Sequence, residues 1–467
     1  MNLKLLYSIM LLTLTLKVPL STMFDVEAWD AANEGHTPMV VDSHIDTLMK
    51  VVEDETGLPA VDIGEETDFE IDIPKLQEAG LHVPFMAAFT AGHYDDHAKN
   101  ISDTLAPIHA LYWTEKNNSE SFTIASTLDE IRQAVKDEKI AAVPAIEGAY
   151  SLAGEHALEL LHQYYDLGIT TIGFTWNYSN ALGEGADRVY NDRNNTPSDG
   201  GLTELGETIV KEMNRLGMLV DVSHMDEGTF WDVLDVTEEP IIATHSGVDA
   251  LHSHPRNLTD DQLRALAENG GVIGIVFYPQ FLTETGEATV GDIVDHIDHA
   301  VEIMGVDHVA IGSDFDGATL PADMQDSTDI SMITEELEIR GYSSFDIMKI
   351  MGGNTLRVLQ EVQEAADPEV KNEAKEIAIY PDVETGDVVE SRTPVFRAEI
   401  DSEGHIDENS LRIIIDGQVH EPEYDESSST VSFQPDEALE EKFHVVTFEV
   451  TSEGGEVKRE SRIFYIE

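Results

Sequence analysis

His44 and Asp46 stand one residue apart, just beyond the short apolar run Met39-Val40-Val41. In an extended chain residues i and i+2 face the same side, so one imidazole and one carboxylate converge on a point. That mixed nitrogen and oxygen set suits a zinc ion. Alone it is a weak signal, because a His or Asp after a strand is commonly a loop residue or a helix N-cap. It gains weight by repetition. Glu147, Ser223-His224, His245 and Ser313-Asp314 also follow short apolar runs.

The runs that must position these residues read as strands. They are Met39 to Val41, Val83 to Phe89, Ile140 to Ile146 and Thr170 to Phe174, then Met218 to Val222, Ile241 to Thr244, Val272 to Phe277 and His308 to Gly312. Between them lie helix-like stretches. In Leu202 to Leu216, Leu202, Leu205, Ile209, Met213 and Leu216 recur at helical spacing, and Ile293 to Met304 is another. Strands alternating with helices imply parallel pairing. Eight such units predict a (β/α)8 TIM barrel, whose active site lies at the C-terminal ends of the strands. The candidate ligands follow the first, third, fifth, sixth and eighth strands, which random placement would rarely produce.

The 467 residues suffice for a barrel and a further domain. The absence of cysteine excludes a disulfide scaffold, a thiol nucleophile and a thiolate zinc site. A formal charge of -65, from 92 acidic and 27 basic residues, would repel nucleic acid and anionic membrane, so neither is expected as a partner. The acidic excess is spread along the chain and 41% of residues are hydrophobic, so a folded core under a well-hydrated acidic surface is expected. The charge reads as adaptation to high salt, where screening suppresses self-repulsion.

Residues 1–22 contain no acidic residue, carry Lys4 and Lys17, and hold an apolar stretch from Leu5 to Leu16. That pattern predicts a signal peptide or an uncleaved anchor, and hence export. Val18-Pro19-Leu20-Ser21-Thr22 is a poor cleavage region, and a true start at Met23 would make the protein cytoplasmic. The domain expectation is a barrel over 23–365, a charged linker over 366–390 and a small all-β sandwich over 391–467. Alternating strands Val395 to Ile400, Leu411 to Ile415, Thr430 to Phe433, Phe443 to Val450 and Arg462 to Ile466, with turn residues Asp416-Gly417 and Gly454-Gly455 between them, support the last. This module loosely resembles bacterial immunoglobulin-like surface modules, which mostly occur outside the cytoplasm. It holds no ligand cluster, so a spacer or attachment role is expected.

The linear motifs are more specific. His44-Ile45-Asp46, Glu147-Gly148, Asp221-Val222-Ser223-His224, Thr244-His245-Ser246, Arg256-Asn257-Leu258 and Gly312-Ser313-Asp314-Phe315-Asp316-Gly317 occur in the order seen in the membrane (renal) dipeptidase family of metallopeptidases. Gly201-Leu202-Thr203, Asn214-Arg215-Leu216-Gly217 and Gly353-Asn354-Thr355-Leu356-Arg357-Val358 also resemble that family. The resemblance spans roughly residues 39–362. It implies a two-zinc barrel that hydrolyses small dipeptides, L-D dipeptides or β-lactams among the substrates of some members.

Carried over residue by residue, the resemblance implies that His44 and Asp46 bind the first zinc, Glu147 bridges both, and His224 and His245 bind the second. Asp314 becomes the proton shuttle and Arg256 the anchor for the dipeptide carboxylate. The chemistry agrees. Two Zn2+ ions need a bridging carboxylate, imidazoles complete the set, and the ions lower the pKa of a water held between them. An aspartate can take and return the proton, and a guanidinium suits bidentate carboxylate recognition.

The pattern departs at Thr175-Trp176-Asn177, where mammalian members carry a substrate-positioning His after the Thr. Trp176 reads either as a subfamily difference or as barrel packing. Asp316 competes with Asp314 as acid–base group but is expected to order the loop with Gly317. His252 and His254 are expected in an exposed loop, and His296 and His299 on a solvated or packed helix face. A homodimer is one expectation for assembly. Two other functions remain to be separated. Another binuclear amidohydrolase commonly bridges its metals with a carbamylated Lys, but Thr170 to Asn177 contains none. A surface-binding protein with an inactive barrel would not need the intact ligand set.

Overall fold

Eight parallel strands form the barrel expected from the sequence. In the computed structural model they are β1 (Val40–Ile45), β2 (Leu81–Phe89), β3 (Ile140–Glu147), β4 (Thr171–Gly173), β5 (Leu219–Asp221), β6 (Ile242–Val248), β7 (Val272–Ile275) and β8 (Val309–Ile311). Each pairs with the next in chain order. Closure between β8 and β1 is made by the bridge of Ile45 with Phe315, through Asp46 N to Phe315 O at 2.9 Å and Asp314 N to His44 O at 3.1 Å. The closing bonds therefore bring Asp314 alongside His44 and Asp46. The structure describes residues 40–53, 55–92, 96–186, 200–368, 370, 374, 376–402 and 406–467. Residues 1–22, expected as a signal peptide or anchor, lie outside the described residues. Among the described residues no helix is long and apolar enough to cross a membrane.

The strands are apolar and buried almost throughout, as a sheet covered on both faces requires. Helix ends follow local chemistry. The helix expected from Leu202 starts at Glu204, because Thr203 Oγ1 accepts the Gly206 amide at 3.0 Å and acts as N-cap. It ends at Gly217, whose φ of 78° only glycine adopts without strain.

Strand β6 differs from expectation. His245 lies inside it rather than after it, since pairing continues to Val248. Register against β7 shifts between Ala243 and Ser246. That irregularity brings the adjacent side chains of Thr244 and His245 within 2.9 Å of each other, which regular alternation would not allow.

The C-terminal residues build two sheets. One has the order β9 (Ile377–Pro381), β11 (Phe396–Ser402), β15 (Thr430–Phe433), β14 (Glu423–Asp425). The other runs β10 (Asp387–Val389), β17 (Val457–Ile466), β16 (Phe443–Ser452), β12 (Ile406–Ile415), β13 (Gln418–His420). They share one apolar core, with Phe396 of the first sheet 5.2 Å from Phe464 of the second. Residues 366–390, expected as a linker, contribute β9 and β10. These are short strands of five and three residues, both at sheet edges.

This module is joined to the barrel through a buried interface. Phe443, Val445 and Ile463 belong to the barrel's own hydrophobic core. Asp416 and Gly417, with φ of 48° and 80°, form a two-residue hairpin turn of the type that Asp-Gly favours. Gly417 N donates to Gln163 Oε1 at 2.7 Å, and Gln163 Nε2 donates to Thr447 Oγ1 at 2.9 Å and Ile414 O at 3.2 Å. Gln163 is itself buried on the helix Ala157–Asp166.

Candidate metal centre

The strand ends bring together every ligand-type residue expected from the sequence. Three overlapping groups have their donor atoms within 4.8 Å of one another: His44, Asp46 and Glu147; Glu147, His224 and His245; and His44, His245 and Asp314. Glu147, the last residue of β3, belongs to the first two. Its Oε2 lies 3.5 Å from His44 Nε2, while its Oε1 lies 2.8 Å from His224 Nε2 and 3.5 Å from His245 Nε2. His44, Asp46, Glu147, His224 and His245 are buried, and Asp314 is partly buried.

Backbone geometry aims several of them. His224, Asp314 and Asp316 have φ of 65°, 66° and 67°, a region that non-glycine residues rarely enter. Gly317 completes the turn because a Cβ there would lie 2.1 Å from Asp46 Oδ2 and 2.7 Å from Asp314 Oδ1. Asp42, buried below His44, accepts the amides of Ser313 at 2.8 Å and His44 at 3.2 Å, tying β1 to the Asp314 turn.

The donor set fits divalent cations. His224 Nε2 and His245 Nε2 face each other at 2.9 Å. The opposite nitrogens face Asn177 Oδ1 and Thr244 Oγ1, both at 2.9 Å. Two ring nitrogens that close need a proton or a cation between them. His44 Nε2 and Asp46 Oδ1 are buried with no hydrogen-bond partner among the described residues. Buried donor atoms left so are costly unless an ion takes them.

The electrostatics agree. Burial, then the Arg256 cation, pushes His224 down to about 3. Burial, then His44, pushes His245 well below its ordinary value. Both rings are therefore neutral near pH 7, the form that ligates metal. Burial opposes charge on Glu147, yet the positive charge of His44 and the facing His224 and His245 rings hold its carboxyl well below the usual range. Burial opposes charge on His44 too, but Glu147 and Asp46 raise it well above its ordinary value. A bound cation would replace that proton. Burial, then Asp46, raises Asp314 well above the usual carboxylate range.

The remaining residues sort themselves by contact. Arg256 is buried, with Nη2 donating to His245 O at 2.8 Å and its guanidinium 5.3 Å from the Phe281 ring centre. Asp316 accepts from Lys50 Nζ at 2.7 Å, Thr47 Oγ1 at 2.7 Å and the Glu70 amide at 2.9 Å, so it organises the loop. His254 is half-buried rather than exposed. It accepts the Arg256 amide at 3.2 Å and packs on Phe281, because it builds the turn that delivers Arg256. His252 is also half-buried. His296 is a packed core residue that accepts the Val248 amide, and His299 pairs with Asp260. Trp176 meets Phe89 and Tyr178 edge-on and lies 6.2 Å from His224, forming an aromatic wall beside the cluster. Asn177 as partner of His224 was missed from the sequence. Its only signal was its place directly beyond the fourth strand.

A closed barrel carrying clustered carboxylates and neutral imidazoles at its strand ends defines a metal-dependent hydrolase of the TIM-barrel class. Residues 35–373 match the family described as membrane dipeptidase, peptidase family M19, and the chain belongs to that family. It is a metallo-dipeptidase. A protein of Klebsiella pneumoniae, described as an uncharacterized protein in the pqqA 5' region, is 40% identical over 238 residues, 50% of this chain and 86% of its own. The dipeptidase verJ of Clonostachys rogersoniana is 32% identical over 308 residues, 63% of this chain and 76% of its own. A solved metallo peptidase from Rhodobacter sphaeroides, liganded with a phosphinate mimic of the dipeptide L-Ala-D-Ala, is 28% identical. It superposes with a TM-score of 0.61 over 70% of this chain and 100% of its own.

Proposed function

We propose a two-zinc dipeptidase that hydrolyses small dipeptides, L-D dipeptides among them. The observation that carries this reading is the position of Glu147, whose two oxygens face two different donor groups. His44, Asp46 and Glu147 would hold one cation, and Glu147, His224 and His245 the other. Such cations, when bound, supply the charge that lowers the pKa of water and polarises a carbonyl. The chain's own residues do the rest. Asp314, set opposite His44 by the closing bonds of the barrel, takes the proton from the attacking water and returns it to the leaving amine. Arg256, pinned against His245 O, receives the C-terminal carboxylate of the substrate. Trp176 and Tyr178 wall the site beside His224, in the place where the mammalian pattern has a His. The dipeptide mimic held by the Rhodobacter relative supports the substrate class.

The test is a panel of L-L and L-D dipeptides assayed at high salt, with and without chelator, alongside metal analysis. Chelation should abolish hydrolysis and zinc should restore it. Glu147→Gln should lose metal as well as turnover, because an amide bridges two cations poorly. Full activity in a preparation shown by elemental analysis to hold no metal would overturn the reading.

A further inference from the structure

Asp221 and Thr244 lie in the two stretches that supply His224 and His245, and neither has a part in the reaction above. Both are buried. Asp221 Oδ1 accepts the amides of Ser223 at 2.9 Å and Thr244 at 3.0 Å, and Oδ2 accepts the Thr244 hydroxyl at 2.6 Å. A hydroxyl carries one proton. That of Thr244 goes to Asp221, so toward His245 Nδ1, at 2.9 Å, the same oxygen can only accept. The ring proton must then sit on Nδ1. Nε2 is left with a lone pair directed at the cluster, 3.5 Å from Glu147 Oε1. Ser223 braces the arrangement, its Oγ accepting the His245 amide at 3.1 Å and lying 3.3 Å from Thr244 Oγ1.

We infer that Asp221, acting through Thr244, fixes the tautomer of His245 and thereby sets the cation affinity of the Glu147, His224 and His245 group. Both are positioning residues. The inference rests on the metal-centre reading. It differs from a packing role in one respect. Asparagine at 221 could keep its oxygen on the two amides, but its NH2 would then donate to Thr244. The Thr244 proton would turn toward His245 Nδ1, and the ring proton would move to Nε2, where it blocks a cation. A nearly isosteric change thus inverts the tautomer. His224 has its own device, the uncharged acceptor Asn177 Oδ1, and serves as an internal comparison.

The experiment uses the full chain in two measurements. Zinc affinity is titrated against a competing chelator for the wild type, Asp221→Asn, Thr244→Val and Thr244→Ser. The ring tautomers of the metal-free wild type and Asp221→Asn are read by histidine 15N NMR, with the His245 signal assigned through His245→Asn. Asp221→Asn and Thr244→Val should bind one of two zinc ions about 10–100-fold more weakly, the usual effect of losing a partner behind a metal ligand. Thr244→Ser should restore wild-type affinity. His245 should be the Nδ1–H form in the wild type and the Nε2–H form in Asp221→Asn. An Nε2–H ring in the wild type, or equal zinc affinity in all four proteins, would overturn the inference. A wild type that binds no zinc would instead overturn the metal-centre reading, and the wild-type tautomer would still decide the role of Asp221 and Thr244. If Asp221→Asn does not fold, the two Thr244 variants and that tautomer decide it.

Discussion

Lys50 Nζ lies 2.7 Å from Asp316 Oδ1, an ion pair that spends the carboxylate on the loop rather than on chemistry. Asp314, two residues earlier, sits instead against His44 and Asp46. Asp316→Asn should therefore lower stability by about 1–3 kcal/mol, the range for a buried charged hydrogen-bond partner. Asp314→Asn should leave the melting temperature and bound metal near wild type, yet lose turnover by about 10²–10⁴-fold, typical for an acid–base group. Thermal melts and kcat on both variants check this. A reversal of the two phenotypes would exchange the roles.

The barrel and its cluster were legible because parallel strands, buried on both faces, leave continuous apolar runs, and five of the eight runs ended at or beside a ligand-type residue. What the sequence hid follows from geometry beyond neighbouring residues. The shift in β6 that places Thr244 and His245 together depends on its partner β7. The pairing of Asn177 with His224 joins two different strand ends. In the C-terminal module, β9 and β10 are five and three residues long and lie at sheet edges, so neither shows a sustained alternation in the sequence. The spacer role expected for the module does not sit with a shared core that only the folded chain reveals.

Gln163 gives that shared core a test. It accepts from Gly417 N and donates to Thr447 Oγ1, and its side chain is buried. Gln163→Leu would take from Gly417 N its acceptor, at about 1–3 kcal/mol. Its melting temperature should fall as a single transition, and a chain truncated after residue 365 should aggregate, because the barrel face under Phe443 and Ile463 would be bare. A truncated barrel that melts like the full protein would show the module to be a spacer after all.

Stability should also fall on the alkaline side through His444. Burial opposes charge on this ring, but the Asp416 carboxylate, 2.5 Å away, raises it above the ordinary 6.5. A raised folded-state value means the pair's contribution is fully present below pH 6.5 and is lost as pH climbs through the raised value. Melting curves of the wild type and Asp416→Asn across that interval give the comparison. The difference between them should shrink as the pH rises. A difference independent of pH would mean that His444 does not titrate there.

The last prediction concerns substrate length. Arg256 is buried beside a metal-ligand candidate, held by His245 O and packed on Phe281. A guanidinium so placed meets a carboxylate well and a neutral amide poorly, since a charge-assisted, bidentate pair is the stronger contact and an uncharged group forgoes it. A dipeptide brings its carboxylate to that point. A tripeptide or an amidated dipeptide brings an uncharged group instead. The enzyme should therefore cleave dipeptides and reject both others by about a hundredfold or more in kcat/KM, since each 1.4 kcal/mol is tenfold. Arg256→Ala should raise KM for dipeptides and narrow the discrimination. Because Arg256 also braces β6, the unmutated enzyme gives the decisive comparison. Similar kcat/KM for a dipeptide and its amide would remove Arg256 from substrate binding, whatever the variant does.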